Sequence, residues 1–165
     1  MRSFDLDKPS MSNVIETQTP DRWTPRSTVA AIIEREGRFL LVEEIIKGQC
    51  LINQPAGHLE PDETFAQGMV REVLEETGYQ VEPEALLGLY VYRTPDLSIT
   101  FHRVCFIARI TGIVENAQLD EGIIGPRWMT RDEVAKADNL RAELVLRCID
   151  DYLSGQRYPL EFLHD

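Results

Sequence analysis

Glu72, Glu75 and Glu76 follow directly on Arg71 in the run "REVLEETG". On a helix, at about 100° per residue, the three carboxylates occupy an arc of roughly 100° within one turn. Left alone, each would raise the pKa of the others. A hard divalent cation removes that conflict, because Mg2+ and Mn2+ prefer carboxylate and water oxygens. The same run also fits a solvated helix face, since glutamate is a good helix former. What surrounds the run decides between the two.

The elements that must hold these side chains are legible around them. Thr64 and Gln67 fit a capping box at the start of a helix, and Gly78 is placed to end it in a left-handed conformation. Ala66, Met69, Val70, Val73 and Leu74 recur at three- and four-residue spacing, which predicts a core-facing stripe with the glutamates beside it. Upstream, "STVAAIIEREGRFLLVEEII" reads as two strands about a turn at "REGR", "CLIN" as a short strand, and "QPAGHLEPDE" as a loop. Downstream, "EALLGLYVYRT" and "SITFHRVCFIARI" read as strands joined at "PDLS", with "PRWMT" as a further short strand. Thr130 caps a helix over "RDEVAKA", and "AELVLRCIDDYL" is a second amphipathic helix ending at Ser154–Gly155. The partly apolar tail "QRYPLEFLHD" is expected to pack back on the domain. Strands mixed with three helices predict an α/β sandwich. Residues 1–26 read as a polar, weakly ordered extension, and residues 27–160 as the domain.

Composition excludes several roles. A chain of 165 residues suits one core, and its net charge of −11 argues against nucleic acid and against an anionic membrane. An anionic substrate would need a cation between it and the protein. Cys50, Cys105 and Cys148 lie far apart without zinc spacing, which suits a reduced, cytoplasmic interior. No apolar run approaches about 18 residues, and the first 26 residues lack the apolar segment of a secretory signal.

Wider spacing decides the glutamate question. Gly57, five residues, Glu63, seven residues, then Arg71-Glu72-Val73-Leu74-Glu75-Glu76-Thr77-Gly78-Tyr79 fills every fixed position of the pattern GX5EX7REUXEEXGU. In this the chain resembles the Nudix hydrolases. The resemblance implies an α/β/α sandwich around a mixed β-sheet and hydrolysis of a diphosphate-linked small molecule, with Mg2+ (Mn2+ as the alternative) as cofactor. It places Glu72, Glu75 and Glu76 on the family's metal ligands, and Glu63 on the loop glutamate that assists them. Arg71 falls on the arginine that steers the glutamates, and the carbonyls of Ala56 and Gly57 on a loop that reaches the metal in relatives. The catalytic set so implied is Arg71, Glu75 and Glu76, with a general base from "LDEG", where Glu121 is preferred to Asp120.

A narrower resemblance, to bacterial phosphatases within the family, rests on "LLVEE", "NQPAGHLEPDET", "NLR" at 139–141 and "SGQRYPLE" at 154–161. It implies Mg2+-dependent release of orthophosphate from nucleoside tri- and diphosphates and from 4-amino-2-methyl-5-hydroxymethylpyrimidine diphosphate, a thiamin precursor. Candidate substrate contacts are Tyr92, Arg103, Asn139 and Arg141; an aromatic ring stacks on a base and an arginine holds a phosphate. A helix cap is the structural role open to Asn139. His58 is weighed for phosphate contact, and His102 is read as structural. The expected partner is a small-molecule diphosphate, not nucleic acid or membrane, and the expected assembly is a monomer or small homo-oligomer. Two alternatives stand: hydrolysis of ADP-ribose or another nucleoside-diphosphate sugar, and a non-catalytic nucleotide-binding module, against which the intact glutamate set counts.

Overall fold

The structure is a computed structural model that describes residues 22–164. Most of the expected N-terminal extension, residues 1–21, lies outside the described residues. The elements run β1 (Arg26–Ile32), β2 (Glu34–Arg35), β3 (Arg38–Ile46), β4 (Gln49–Asn53), β5 (Ala56–His58), α1 (Phe65–Thr77), β6 (Tyr79–Arg93), β7 (Thr100–Ile113), β8 (Ile123–Thr130), α2 (Arg131–Lys136), α3 (Leu144–Leu153) and a 3-10 turn at Leu160–Phe162.

β1 explains the layering. It buries every residue from Thr28 to Ile32, so neither of its faces meets solvent. Alternation sends Val29 and Ala31 to one core, shared with Met69 and Val73 of α1. Ala30 and Ile32 go to the other core, shared with Val145, Cys148 and Ile149 of α3. A sheet with α1 on one face and α3 on the other is the expected α/β/α sandwich. The strands form two four-stranded sheets. The first has the order β5-β1-β7-β6 and is mixed, since β1 runs parallel to β7 and antiparallel to β5. In the second, β3 pairs antiparallel with β2, β4 and β8.

The turn at "REGR" forms as read, with Glu36 and Gly37 both left-handed at φ 53° and 75°, the pair that joins a tight hairpin. The loop after β4 holds one strand that its composition conceals. β5 is three residues long, "AGH", and is fixed by pairing with β1 rather than by any propensity of its own. β6 also begins earlier than expected, at Tyr79, directly beyond the glycine that ends α1. The tail packs back as expected: Tyr158 and Leu86 exchange backbone hydrogen bonds at 2.8 and 2.9 Å, and Leu160 and Leu163 join the α1-side core.

Both ends of α1 are made as the sequence implies. The Thr64 hydroxyl accepts from the Gln67 backbone N–H, and the Gln67 side chain accepts from the Thr64 N–H. Gly78, at φ 74°, donates to the Leu74 carbonyl at 2.8 Å. The helix is rotated relative to the expected stripe. Met69, Glu72, Val73 and Glu76 are its buried face, and Leu74 is only half-buried. Two of the three glutamates therefore point inward.

Candidate active site

Arg71 organises the acidic face of α1. Its Nε donates to Glu63 Oε1 at 2.6 Å and its Nη2 to Glu63 Oε2 at 3.0 Å, a two-point grip. Its Nη1 donates to Glu72 Oε1 and to Glu75 Oε2, both at 2.8 Å. Nη2 also donates to the His58 carbonyl at 3.0 Å, which ties helix α1 to strand β5. Glu63 is fixed from its other side by the Glu60 N–H at 3.1 Å. These bonds hold the Glu63 carboxyl below its usual pKa and push the Arg71 guanidinium upward.

Glu76 makes a different contact. Its Oε2 accepts from the Ala56 backbone N–H at 2.8 Å, at the start of β5. Burial pushes its carboxyl up to about 8; the Ala56 N–H opposes this, and the charges of Glu72 and Glu44 add to it. Burial likewise raises Glu72 against the pull of Arg71, with Glu75 and Asp120 contributing repulsion. Gly57 lies directly against the Glu72 carboxyl. A Cβ at that position would meet Glu72 atoms at 2.1–2.2 Å, so only glycine leaves the carboxylate where it is.

Beside this cluster is a pocket of about 130 Å3 that includes Ala56 and Gly57 in its wall. Of the expected substrate contacts, Tyr92, Arg103 and Arg141 line it, together with His58, Phe101 and Thr28. Tyr92 and Phe101 stack at 6.3 Å with an interplanar angle of 25°. Arg141 Nη1 donates to both oxygens of Glu44 at 2.7 Å. Asn139 is not brought to this pocket. Its Nδ2 donates to the Cys50 carbonyl at 3.0 Å, so it ties the segment before α3 to β4 rather than capping that helix. His102 meets the Trp23 ring at 6.2 Å, in keeping with a structural role.

The two acids of the later loop, Asp120 and Glu121, are both exposed. The Asp120 N–H donates to the Glu75 carbonyl at 3.1 Å, and its charge reaches Glu72. Glu121 follows on the adjoining turn. Glu44 was not anticipated. It is an acid buried on β3 and acts on Glu76 through its charge. An acidic residue within the apolar run "LLVEEII" was the available signal, but a register shift between Glu43 and Glu44 decides which of the two turns inward.

The family model for the NUDIX domain matches residues 23–148. The chain belongs to the Nudix hydrolase family. It is 43% identical over 141 residues to the phosphatase NudJ of Shigella boydii, covering 86% of this chain and 92% of that one. The same figures hold for the NudJ of Escherichia coli K12. A solved Nudix hydrolase from Nitrosomonas europaea superposes with a TM-score of 0.83 at 44% identity, covering 86% of this chain and 97% of that one. As a Nudix hydrolase similar to NudJ, the chain acts on phosphoric anhydride bonds.

Nudix hydrolases generally use divalent metals, and this donor set fits one. The oxygens are carboxylate and carbonyl, which suits a hard cation. Burial raises the carboxyls of both Glu72 and Glu76, and a cation beside them would offset the cost of ionising them in place. One detail differs from the expectation of three converging carboxylates. Among the described residues no three acidic, histidine or cysteine side chains form a ready cage. Arg71 stands between Glu63, Glu72 and Glu75, and Glu76 turns toward Ala56.

The raised Glu76 gives a pH dependence with a defined sign. Its folded-state value lies above the ordinary 4.5, so its stabilising contribution is complete below that pH and is lost as pH rises through about 8. Metal-chelated protein is expected to melt at lower temperature at pH 8.5 than at pH 6, by roughly 5 °C or more. Glu76→Gln should flatten that slope. Thermal melts across the range check both.

Proposed function

We propose that this Nudix hydrolase splits the terminal phosphate from a small-molecule diphosphate or triphosphate, releasing orthophosphate. Glu72, Glu75, Glu76 and the Gly57 carbonyl would hold Mg2+, with Mn2+ as a substitute, and Glu63 would act through Arg71 to aim them. The bound ion offsets charge on phosphate oxygens and lowers the pKa of a water. The residues do the rest. Arg71 fixes the carboxylates, and the Ala56 N–H fixes Glu76. Tyr92 and Arg141, with Arg103, receive the substrate in the adjoining pocket. Water oxygen bonds to the terminal phosphorus, the bond to the bridging oxygen breaks, and the water's proton passes to an acid of the 120–121 turn. Asp120 is favoured over Glu121 because its charge already acts on Glu72.

The observation that carries this reading is the Arg71-centred carboxylate cluster set against a pocket containing arginines. Likeness to NudJ supports orthophosphate release, and the resemblance noted above adds the pyrimidine diphosphate to the substrates. The pocket's aromatic pair suits a flat ring. The absence of a disulfide among Cys50, Cys105 and Cys148 is consistent with a cytoplasmic enzyme.

With Mg2+, orthophosphate is expected from the pyrimidine diphosphate, GTP and GDP, and nothing from ADP-ribose. AMP from ADP-ribose would favour a nucleoside-diphosphate-sugar hydrolase instead. No turnover of any of the four would favour a binding module. In the same assay Asp120→Asn is expected to lower kcat by about 100-fold and Glu121→Gln by no more than about twofold; the reverse order would move the base to Glu121.

A further inference from the structure

Two side-chain atoms among the described residues are buried without a hydrogen-bond partner, the Thr28 hydroxyl and the Arg103 Nε–H. Such atoms are rare in folded proteins and need a reason. These two share one. Thr28 on β1 lies in register with Arg103 on β7 and with His58 on β5, so the three side chains stand side by side on one face of the sheet. All three line the pocket that borders Gly57.

The charge around them is one-sided. Among the described residues Arg103 forms no ion pair, and its Nη1 reaches only the Gln54 amide oxygen, at 3.5 Å. Burial depresses its pKa, as expected for a guanidinium without a counter-charge in contact. Arg103 and Arg141 both line the pocket beside His58, in a chain of net charge −11. Arg141 is answered by Glu44. Among the described residues no ion pair answers Arg103, on which Glu76 acts only through its charge, and an N–H beside a hydroxyl offers two donors to one acceptor-rich group.

We propose that Thr28 and Arg103 form the subsite for the terminal phosphoryl group of the substrate, and so for the orthophosphate that leaves. The proposal rests on the diphosphate-hydrolase reading above. A cavity of about 130 Å3 falls well short of the ~300 Å3 at which pockets begin to take a whole drug-sized ligand. It takes a fragment, and the fragment its charge selects is an anion. The organic part is left to the Tyr92–Phe101 pair and to solvent. A site that grips the last phosphate and not the ring tolerates many organic groups and leaves a monophosphate behind.

The test uses inorganic phosphate alone on the full chain, with chelator and without divalent metal, against chloride at matched ionic strength. Phosphate is expected to raise the melting temperature of the wild type, and calorimetry should give a measurable affinity. Thr28→Val is expected to weaken that affinity about tenfold, while its own melting temperature stays equal or rises because an unpaired hydroxyl is gone. Arg103→Lys keeps the charge but loses the Nε–H and should weaken it about tenfold as well. With Mg2+ and substrate, the inhibition constant for phosphate should rise by the same factors. No protection of the wild type, or equal affinity in wild type and both variants, would overturn the subsite. A protein that binds phosphate in this residue-dependent way yet hydrolyses none of the panel keeps the subsite and loses the hydrolase reading. One that hydrolyses the panel but does not bind phosphate does the opposite.

Discussion

Glu76→Gln is expected to lower turnover by about 1000-fold at saturating Mg2+ without unfolding the protein. The amide keeps an oxygen for the Ala56 N–H, which Glu76 meets at 2.8 Å, so the link between α1 and β5 survives. What is lost is a charge at a buried position. In metal-free protein that carboxyl is held up to about 8, so at neutral pH the neutral amide replaces a largely neutral acid. The melting temperature of the chelated variant should therefore match or exceed that of the wild type near pH 7. Steady-state orthophosphate release, run beside a melt, checks both halves. Turnover within tenfold of the wild type would remove Glu76 from the metal site.

Gly57→Ala isolates a steric effect at the same place. The backbone at Gly57 is not among the left-handed positions, so alanine suits its conformation. The new methyl would lie 2.1 Å from the Glu72 carboxyl carbon, which must swing away. The moving group is the end of a flexible side chain, so the stability cost should stay under about 2 kcal/mol. Glu72 is also held by Arg71 at 2.8 Å, so its displacement disturbs Glu63 and Glu75 through the shared guanidinium. We expect kcat/KM to fall about 100-fold, with a higher Mg2+ concentration needed for half-maximal rate. Unchanged activity would mean that the close approach of Gly57 to Glu72 has no bearing on the reaction.

The legible part of the site was the part written in one continuous segment. Thr64, Gln67 and Gly78 fix the ends of α1 by local chemistry, and the Gly57–Tyr79 spacing placed Glu63, Arg71 and the three glutamates on it. What the sequence concealed depends on pairing between distant strands. The juxtaposition of Thr28 with Arg103 is a matter of register between β1 and β7, about which neither strand's composition speaks. Asn139 is a candidate substrate contact in the sequence, with a helix cap as its structural alternative, yet pairing of its segment with β4 gives its side chain to the Cys50 carbonyl. Strand partners are concealed for the same reason: periodicity marks a strand but does not say which neighbour it takes. The inward turn of Glu72 and Glu76 was concealed because an apolar stripe is drawn without charged residues, although here they complete the buried face with Met69 and Val73.

The guanidinium of Arg71 carries a consequence for how the molecule is made. A nascent chain with three crowded negative charges would otherwise have to wait for an ion before that helix could close against the sheet. With a positive group built in four residues or fewer from Glu72 and Glu75, assembly and activation become separate events. On the proposed reading, a molecule made when divalent metal is scarce would be dormant and not damaged, and would begin work when the ion arrives.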